Sequence, residues 1–391
     1  MSSRATRTFD LSRGGEGGAR AILEGLRIDR DNVLSVMFDE ATKVLTVETN
    51  GVDTAEKVEA FVAGMTRTHK LLPRKILMQH HAAFLTPDPI DEALAKSPDV
   101  QLLGAGLTGL RGELLALFRF FEREFATIAE EFGAEDNHYP VMVPSEVLAE
   151  VGYFSHFPQH VTFCSHLPDS LPLLEAVASD AKANAGGRLA ETFAGRLADP
   201  GHVLIPGVCL PCYRQQRGRR LEPGRVRTLT MQNHVFRYEA DNFRPLARGW
   251  DFSVRDIVFF GGNAELGRLR GEVMERTMQL CRELDLEVSI ELANDPFFLD
   301  ASRDKAVYQR MGEVKYELLF HLPHRKEPLA ASSFNLHRDF YTAIYDTRHT
   351  DGALAESACM GFGLERWLYG FLCQKGLDPS GWPARVTARQ P

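Results

Sequence analysis

The first part of the chain alternates apolar and polar residues over two short runs and then changes to helical spacing. The runs "VLSVMFDE" (33–40) and "KVLTVETN" (43–50) are joined by a short polar turn, which predicts a β-hairpin. The following "VDTAEKVEAFVAGM" (52–65) has apolar residues at helical period and predicts a helix. A first strand at "RTFDL", a helix at "ARAILEGL" and a last strand at "RKILMQHHAAF" complete the order of a ferredoxin-like α/β sandwich. We therefore predict a small accessory domain over residues 1–100.

Longer amphipathic helices are expected in the rest of the chain. The segment "TPDPIDEALAKSPDV" (86–100) contains three prolines and several charges and is predicted to be the linker. A helix is expected at 263–285, and the Ala- and Leu-rich segment 170–199 is expected to be a helical insertion. With the strand-like runs between them, residues 101–391 are predicted to form one α+β domain with a mainly antiparallel sheet. A long helix ending at Gly133 is predicted from apolar residues at steps of three and four: Leu107, Leu110, Leu114, Phe118, Phe121, Phe125 and Ile128.

Composition narrows the class of protein. A chain of 391 residues with 44% hydrophobic residues can bury a large core and form two domains. No apolar run is long enough to span a bilayer, and the polar opening "MSSRATRTFDLSRGGEGG" has no signal-peptide core. Six irregularly spaced cysteines do not form the pattern of a secreted disulfide framework. We therefore expect a cytoplasmic protein with no membrane partner.

Charge argues against a broad nucleic-acid surface. The net charge is −8, and neutralising phosphates requires clustered cations. One segment, "YRQQRGRRLEPGRVR" (213–227), is densely basic. It has two interpretations, a solvated loop that offsets acidic neighbours or a docking patch for an acidic partner.

Candidate chemistry is carried by polar residues at strand spacing within "FRYEADNFRPLARGWDFSVRD" (236–256). Side chains two apart on a strand share a face, so two strands joined by an arginine-bearing loop would present cations and carboxylates together. The positions are Arg237 and Glu239 before the loop, Arg244 and Arg248 within it, and Phe252, Val254, Asp256 and Val258 after it.

A second group of the same kind lies in "ESACMGFGLERWLYGFL". Two glycines on the exposed face of a strand leave a slot in which a flat ring could lie against the backbone. An arginine on the following helix could then donate to a phosphate. The residues that share the strand face are Ser357, Cys359, Gly361 and Gly363, and Glu365 and Arg366 follow on the helix.

The order of these motifs resembles a known family. An aromatic-Arg-x-Glu, a loop, Arg-x-x-x-Phe and finally Gly-x-Gly-x-x-Arg resemble motifs 2 and 3 of class II aminoacyl-tRNA synthetases, here "FRYE", "RGWDF" and "GFGLER". Further segments in order resemble the amino acid:[carrier protein] ligases, truncated relatives of the atypical zinc-dependent seryl-tRNA synthetases. They are "HYPVMVPSEVLAEVGYFSHFPQHVTFC", "PGVCLPCY", "ELANDPFF", "VKYELLFHLP" and "SSFNLHRDF". The resemblance covers roughly residues 105–385 and implies a class II synthetase-like antiparallel sheet flanked by helices.

The resemblance implies an ATP site with Mg²⁺, and fixed guanidinium groups suit the charge that accumulates at an attacked α-phosphorus. Without both motifs, an Arg-x-Glu pair would be an ordinary exposed ion pair. The implied catalytic residues are Arg237, on the α-phosphate and the substrate carboxylate, and Arg366, on the γ-phosphate. Further implied ATP-binding residues are Glu239 on the adenine amino group, Arg248 at the β/γ end, Phe252, Gly363 and, as a candidate magnesium ligand, Glu356.

The family also has a zinc ion held by Cys, Glu and Cys, with one position left for the amino group of the substrate. Cys209 in "PGVCLPC" and Cys359 in "ESACMGFG" match the cysteines, and the middle ligand falls on Asp256. Aspartate is a competent zinc ligand but is one methylene shorter, so the metal could be displaced, bind less tightly or accept a different amino acid. The alternative for both cysteines is a buried, inert thiol.

Other polar residues have more ordinary interpretations. Cys212 forms a CxxC with Cys209, but without a second CxxC a redox or structural-zinc role is disfavoured. Cys281 is expected in the core. His156, His160 and His166 are taken as polar residues near the site entrance. The resemblance places Lys315, Glu317, Asn335 and His337 along the active-site cleft, and His337 is either a positioning group or a structural histidine.

The resemblance implies ATP-dependent activation of a small amino acid as an aminoacyl-adenylate, followed by transfer to the phosphopantetheine thiol of a carrier protein. The net charge argues against tRNA as the acceptor. The alternatives are an aminoacyl-tRNA synthetase, or a ligase that uses another nucleophile, with the N-terminal domain docking the acceptor. A non-catalytic paralogue would be expected to lose the motif arginines that this chain retains. The long helix followed by "HYPVMVP" resembles motif 1, which implies a homodimer.

Overall fold

The computed structural model describes residues 4–12, 19, 22–23, 25–26, 31–39, 41–70, 75–86, 88–183, 192–239, 243–293 and 312–387. The strands are β1 (Ala5–Asp10), β2 (Val33–Asp39), β3 (Val44–Thr49), β4 (Ile76–His80), β5 (Val100–Gly104), β6 (Leu107–Leu110), β7 (Glu135–Asn137), β8 (Met142–Pro144), β9 (Thr162–Cys164), β10 (His202–Leu204), β11 (Arg220–Leu221), β12 (Arg227–Phe236), β13 (Asp251–Gly261), β14 (Val288–Leu292), β15 (Lys315–Phe320), β16 (Leu329–Arg338), β17 (Arg348–His349) and β18 (Glu356–Gly363). The helices are α1 (Val52–Lys70), α2 (Asp91–Lys96), α3 (Gly112–Glu131), α4 (Glu146–Glu150), α5 (Tyr153–His156), α6 (Leu171–Ala183), α7 (Leu210–Gln215), α8 (Asn263–Glu283), α9 (Phe340–Ile344), α10 (Leu364–Lys375) and α11 (Ala384–Thr387).

An eight-stranded sheet forms the centre of the molecule. Its strand order is β4-β14-β15-β16-β18-β13-β12-β7, and every neighbouring pair is antiparallel except β12 with β7. This confirms the predicted α+β class with a mainly antiparallel sheet.

Helices α3, α8 and α10 pack on one face of this sheet and leave the other face for the candidate site. Strand β18 shows why, because its side chains alternate between the two faces. Met360 and Phe362 enter the core beneath the helices, where Phe362 stacks on Phe125 with ring centroids 4.6 Å apart. Cys359 instead joins a second cluster of buried residues on the opposite face.

The predicted long helix begins later than expected. Residues 100–110 form a hairpin of β5 and β6, so Leu107 and Leu110 belong to a strand and not to the helical face. Gly106 and Gly112 have φ of 73° and 57°, and these left-handed conformations break the helical path. A Cβ at Gly112 would also collide with the Asp99 carboxylate. The helix α3 therefore begins at Gly112, and it ends at Glu131, close to the predicted end.

The predicted linker is packed and not free. It contains α2, and Ile90 and Leu94 are buried in the main core. The strand predicted to finish the small sandwich, β4, instead pairs with β14 at the edge of the large sheet. The small sheet therefore has the three strands β1-β3-β2, which share a buried cluster with α1 and with described residues at 19–26. The division of the chain at residue 100 stays a prediction.

Two further helical predictions have clear outcomes. Helix α8 spans Asn263–Glu283, as expected for 263–285. The predicted insertion contains α6, whereas residues 184–191 lie outside the described part of the chain. Among the described helices, none combines the length and the apolar character that crossing a bilayer requires.

Candidate active site

Three side chains from distant parts of the sequence meet on the face of the large sheet opposite α3, α8 and α10, which we call the open face. One ligand atom from each of Cys209, Asp256 and Cys359 lies within 4.8 Å of the other two. Because a Zn–S bond is about 2.3 Å, two ligand atoms of one tetrahedral ion lie about 3.8 Å apart. The three groups are thus close enough to share a single ion after small adjustments.

Strand pairing positions two members of this group, which we call the Cys-Asp-Cys cluster. Asp256 lies directly opposite Gly361 in the β13–β18 ladder, and Cys359 lies opposite Val258, the next position on the same face. Gly361 is required here, because a Cβ at that position would lie 2.8 Å from the Asp256 Oδ1 atom. Gly361, the first glycine of "GFG", thus provides space for this carboxylate, whereas the sequence suggested a slot for a flat ring.

The third member comes from outside the sheet. Cys209 is the N-cap residue of α7, a six-residue helix that packs over the open face. The segment before it is tied to the motif 2 hairpin, because Phe236 N donates to Ile205 O at 2.8 Å and Arg237 Nε donates to Pro206 O at 2.8 Å. The side chain of Cys209 therefore reaches the cluster through contacts that the sheet ladder does not supply.

Burial controls protonation in the Cys-Asp-Cys cluster. Burial raises the pKa of Asp256 to about 6, although hydrogen bonds with both thiols and the Arg237 guanidinium lower it. The hydrogen bond with Cys209, burial and the Asp256 charge raise the pKa of Cys359 well above its usual value. A divalent cation would compensate the charges of two buried groups and the half-buried Cys209, which otherwise resist ionisation together, and the S₂O donor set is one that zinc accepts. The residues present therefore fit such an ion.

The candidate nucleotide end lies next to this cluster. Arg237 directly follows β12, and its guanidinium lies 5.6 Å from the centroid of the Phe252 ring on the neighbouring strand. Strand β12 ends at Phe236, so Arg237 and Glu239 lie in the hairpin loop and not on the strand that the spacing predicted. The positive charge of Arg237 lowers the pKa of Asp256, which links this end of the sheet electrostatically to the Cys-Asp-Cys cluster.

The remaining motif residues surround this end of the sheet. Glu239 and Arg248 pair with each other at 3.0 Å, and both are more than four-fifths buried. Gly363 lies opposite Val254, and Arg366 in the first turn of α10 donates to Ala330 O at 3.1 Å. The structure therefore brings the predicted ATP-binding residues to one end of β13 and β18.

Glu356 is the exception among these residues. It is the first residue of β18 and pairs with Gly261, whereas Gly363 is the last residue of the strand. Seven residue steps at the strand rise separate Glu356 from Gly363 by about 23 Å. Nearness in the motif is thus not nearness in space, and we leave Glu356 out of the proposed site.

Glu365 was assigned no role from the sequence, yet it connects the two motifs. Its two carboxylate oxygens accept hydrogen bonds from Ser253 N at 2.9 and 2.8 Å. Burial raises the pKa of Glu365 to about 7, despite that backbone hydrogen bond. Ser253 follows Phe252 on β13, so this contact fixes α10 to the strand that carries the aromatic ring. In the sequence, the only indication of this role was that Glu365 is a charged residue next to the motif 3 arginine.

The cleft residues predicted on two further strands continue the open face. In one row across the strands, Gly361 pairs with Ser333, which pairs with Glu317. In the next row, Cys359 pairs with Asn335, which pairs with Lys315. The Lys315 Nζ and Glu317 Oε1 atoms are 3.1 Å apart. Two polar rows therefore run from the Cys-Asp-Cys cluster toward β15.

Of the other cysteines, Cys281 lies in the main core, as expected. Cys212 and Cys281 are buried, and in the described ranges Cys209, Asp256 and Cys359 are the residues whose ligand atoms group closely enough for a metal ion. His160 O accepts from Tyr238 N in the motif 2 loop, which places this segment beside the nucleotide end.

The basic segment 213–227 forms an ordered surface, which we call the arginine ridge. Two carboxylates from outside this segment are each shared by two arginines, one of which comes from β17, so each group of three carries excess positive charge. The shared carboxylates hold the guanidinium groups in place, which favours binding of a further anion. The two groups are Arg214–Glu150–Arg217 and Arg220–Asp346–Arg348.

The fold is that of a class II seryl-tRNA synthetase. It matches M. kandleri SerRS, in a crystal structure with A. aeolicus tRNASec, with a TM-score of 0.72 and 20% identity over 92% of this chain and 73% of that chain. It also matches the cytoplasmic serine–tRNA ligase of Naegleria fowleri in complex with AMP, with a TM-score of 0.62 and 11% identity over 86% of this chain and 71% of that chain.

Two kinds of ligase are homologous in sequence. The type-2 serine–tRNA ligase of Methanothermobacter thermautotrophicus is 26% identical over 78% of this chain. The match spans 60% of the length of that protein. Amino acid–[acyl-carrier-protein] ligase 1 of Bradyrhizobium diazoefficiens is 28% identical over 66% of this chain and 77% of its own length. Ligase 2 of the same organism is 29% identical over 77% of this chain and 88% of its own length. No protein-family model matches the chain.

Proposed function

We propose that this protein activates a small amino acid with ATP and transfers it to the phosphopantetheine thiol of a carrier protein. The observation that carries the proposal is the meeting of Cys209, Asp256 and Cys359 beside Arg237. Such a site holds an amine and an electrophilic phosphorus next to each other. The two carrier-protein ligases among the relatives support this acceptor.

We propose zinc as the ion of the Cys-Asp-Cys cluster. When bound, zinc supplies an open Lewis-acid position that accepts a neutral amine, so that hydroxy acids and fatty acids are discriminated against. The cluster residues hold the ion, and Gly361 leaves the room that the Asp256 carboxylate needs.

The motif residues bind and orient the nucleotide in this proposal. In the first step an oxygen of the substrate carboxylate bonds to the α-phosphorus, and the bond to pyrophosphate breaks. Arg237 stabilises the added charge, and Phe252 offers its ring to the adenine. Arg366 binds the γ-phosphate, and Mg²⁺ accompanies the triphosphate. Glu239 and Arg248 would exchange their mutual ion pair for contacts with ATP.

Transfer then requires a thiol to reach the adenylate. The thiol sulfur bonds to the carbonyl carbon, the bond to AMP breaks, and the thiol proton is released to solvent. We propose that the arginine ridge receives the acidic carrier protein, because α7 joins it directly to Cys209. The free thiols of all six cysteines are compatible with a reducing compartment such as the cytoplasm.

The experiment that tests the function separates the two steps. Pyrophosphate exchange across a panel of amino acids, with metal content measured on the same sample, is expected to show one or a few small amino acids activated. The activated amino acid is then offered to a phosphopantetheinylated carrier protein, to the same carrier without phosphopantetheine, and to tRNA. We expect loading of the first alone.

A second candidate function is favoured by one observation. The type-2 serine–tRNA ligases match at similar identity to the carrier-protein ligases. Loading of tRNA without loading of any carrier protein would replace the proposal by this alternative.

We further propose a twofold homodimer. The hairpin of β5 and β6 that precedes α3 presents Leu102, Leu103 and Leu107 with exposed fractions of 52%, 65% and 36%. Apolar residues grouped in this way at the surface favour an interface. Light scattering at micromolar concentration is expected to give twice the mass of the chain, and Leu103→Glu is expected to shift it toward the monomer. A monomeric wild-type protein would contradict the proposal.

A further inference from the structure

The Cys-Asp-Cys cluster needs a tether that the sheet does not provide. Asp256 and Cys359 are held relative to each other by the hydrogen-bond ladder between β13 and β18. Cys209 lies at the start of α7, outside this ladder, and a six-residue helix is too short to be stable by itself. Besides the hydrogen bonds that hold residues 205 and 206, its position therefore depends on side-chain contacts of α7.

Tyr213 makes these contacts. It lies one helical turn after Cys209, and its backbone N donates to Cys209 O at 3.3 Å. Its buried ring stacks on Tyr341 with centroids 3.9 Å apart and planes at 9°, and lies edge-on to Phe260 on β13. Tyr213 also shares a buried cluster with Cys359, and Cys209 packs against the same cluster, so the tyrosine lies beside the candidate ligands.

A hydrogen bond then joins Tyr213 to the sheet. The Tyr213 hydroxyl and His337 Nδ1 are 2.9 Å apart. His337 lies where the register between β16 and β18 shifts, between Leu336 and Arg338, and Arg338 has φ of 52°. A bulge of this kind redirects a side chain, and a left-handed arginine is a backbone strain that the surrounding structure must hold. The bulge thus presents the imidazole to α7.

We propose that Tyr213 and His337 are positioning residues that hold Cys209 at metal-binding distance from Asp256 and Cys359. The hydrogen bond fixes α7 against the bulge of β16, the strand whose Asn335 lies opposite Cys359. Groups behind the ligands often set metal affinity in this way. The inference rests on the proposed function only because both require a metal at the Cys-Asp-Cys cluster.

The test uses the full-length protein with zinc or cobalt alone as the probe. Tyr213→Phe keeps the stacked ring and removes the hydroxyl, and it is expected to lower metal affinity about 10- to 100-fold in a chelator competition. The thiolate-to-cobalt absorption should weaken or shift. His337→Ala should have a similar effect, and the double variant should lose no more than the larger single loss, since both remove the same bond.

Tyr316→Phe is the matched control. This tyrosine is also buried and bonds to Glu313 at 2.7 Å, on β15 away from the thiols. It is expected to lose a similar amount of thermal stability and to keep wild-type metal affinity and spectrum. Wild-type metal affinity in Tyr213→Phe, or equal losses in Tyr316→Phe, would overturn the inference, as would a wild-type protein that binds no metal. Tight metal binding without pyrophosphate exchange would refute the proposed function alone.

Discussion

Asp256→Asn is expected to lose tight metal binding and amino-acid-dependent pyrophosphate exchange together. The substitution keeps the size of the side chain and removes the charge that completes the ligand set with Cys209 and Cys359. We expect metal affinity to fall at least about 100-fold, because a lost ligand should cost no less than a lost supporting group. Exchange should fall in parallel, since the substrate amine loses its binding position. Metal content by mass spectrometry and exchange assays on the same sample measure both effects.

Asp251→Asn supplies the control on the same strand. This carboxylate bonds to His234 at 2.6 Å, at the start of β13 and away from the thiols. It should keep metal and most activity. Exchange at the wild-type rate in Asp256→Asn would show that the Cys-Asp-Cys cluster does not bind the reacting amine.

Asp256→Glu probes the departure from the family pattern. The added methylene restores the ligand that the resemblance implies, and Gly361 leaves space opposite it. We expect this variant to retain metal and to differ from the wild type in which amino acids of the panel support pyrophosphate exchange.

Arg237→Ala is expected to reduce pyrophosphate exchange about 100- to 1,000-fold while metal content stays at the wild-type level. Removal of one preorganised donor from a developing charge commonly has an effect of this size. Arg237→Lys should recover little, since lysine loses both the planar fork and the bond from Nε to Pro206 O.

The control for this prediction is Arg268→Ala, because Arg268 forms exposed ion pairs with Glu265 and Glu272 on α8. It should leave exchange and metal content unchanged. A fall in metal content in Arg237→Ala would instead mean that Arg237 acts by supporting the segment before Cys209, through the same Pro206 contact.

The candidate site was predictable from the sequence to a large extent, because strand side chains alternate with a fixed period. Spacing placed Phe252 with Asp256, and Cys359 with Gly361, before any partner strand was known. The role of Tyr213 was not predictable in this way. Its importance depends on a hydrogen bond to a residue far along the chain, at a bulge that leaves no mark in the sequence.

The fold, too, was predictable from the sequence only in part. Helix α8 follows from apolar residues at helical spacing. The hairpin of β5 and β6 did not, because Leu107 and Leu110 also fit the helical period of α3 and only the conformations of Gly106 and Gly112 interrupt it. The placement of β4 in the large sheet was equally hidden, since its partner β14 lies in a distant part of the sequence.

The sequence by itself determined which residues share a strand face, where the glycines leave room, and which known ligases the chain resembles. Periodicity and motif order are local properties that survive without coordinates. The tertiary structure alone decided that Asp256 faces Gly361, that Glu356 lies at the far end of its strand, and that α7 delivers Cys209 to the cluster. Pairing register and helix docking depend on contacts between distant segments, and no local pattern encodes them.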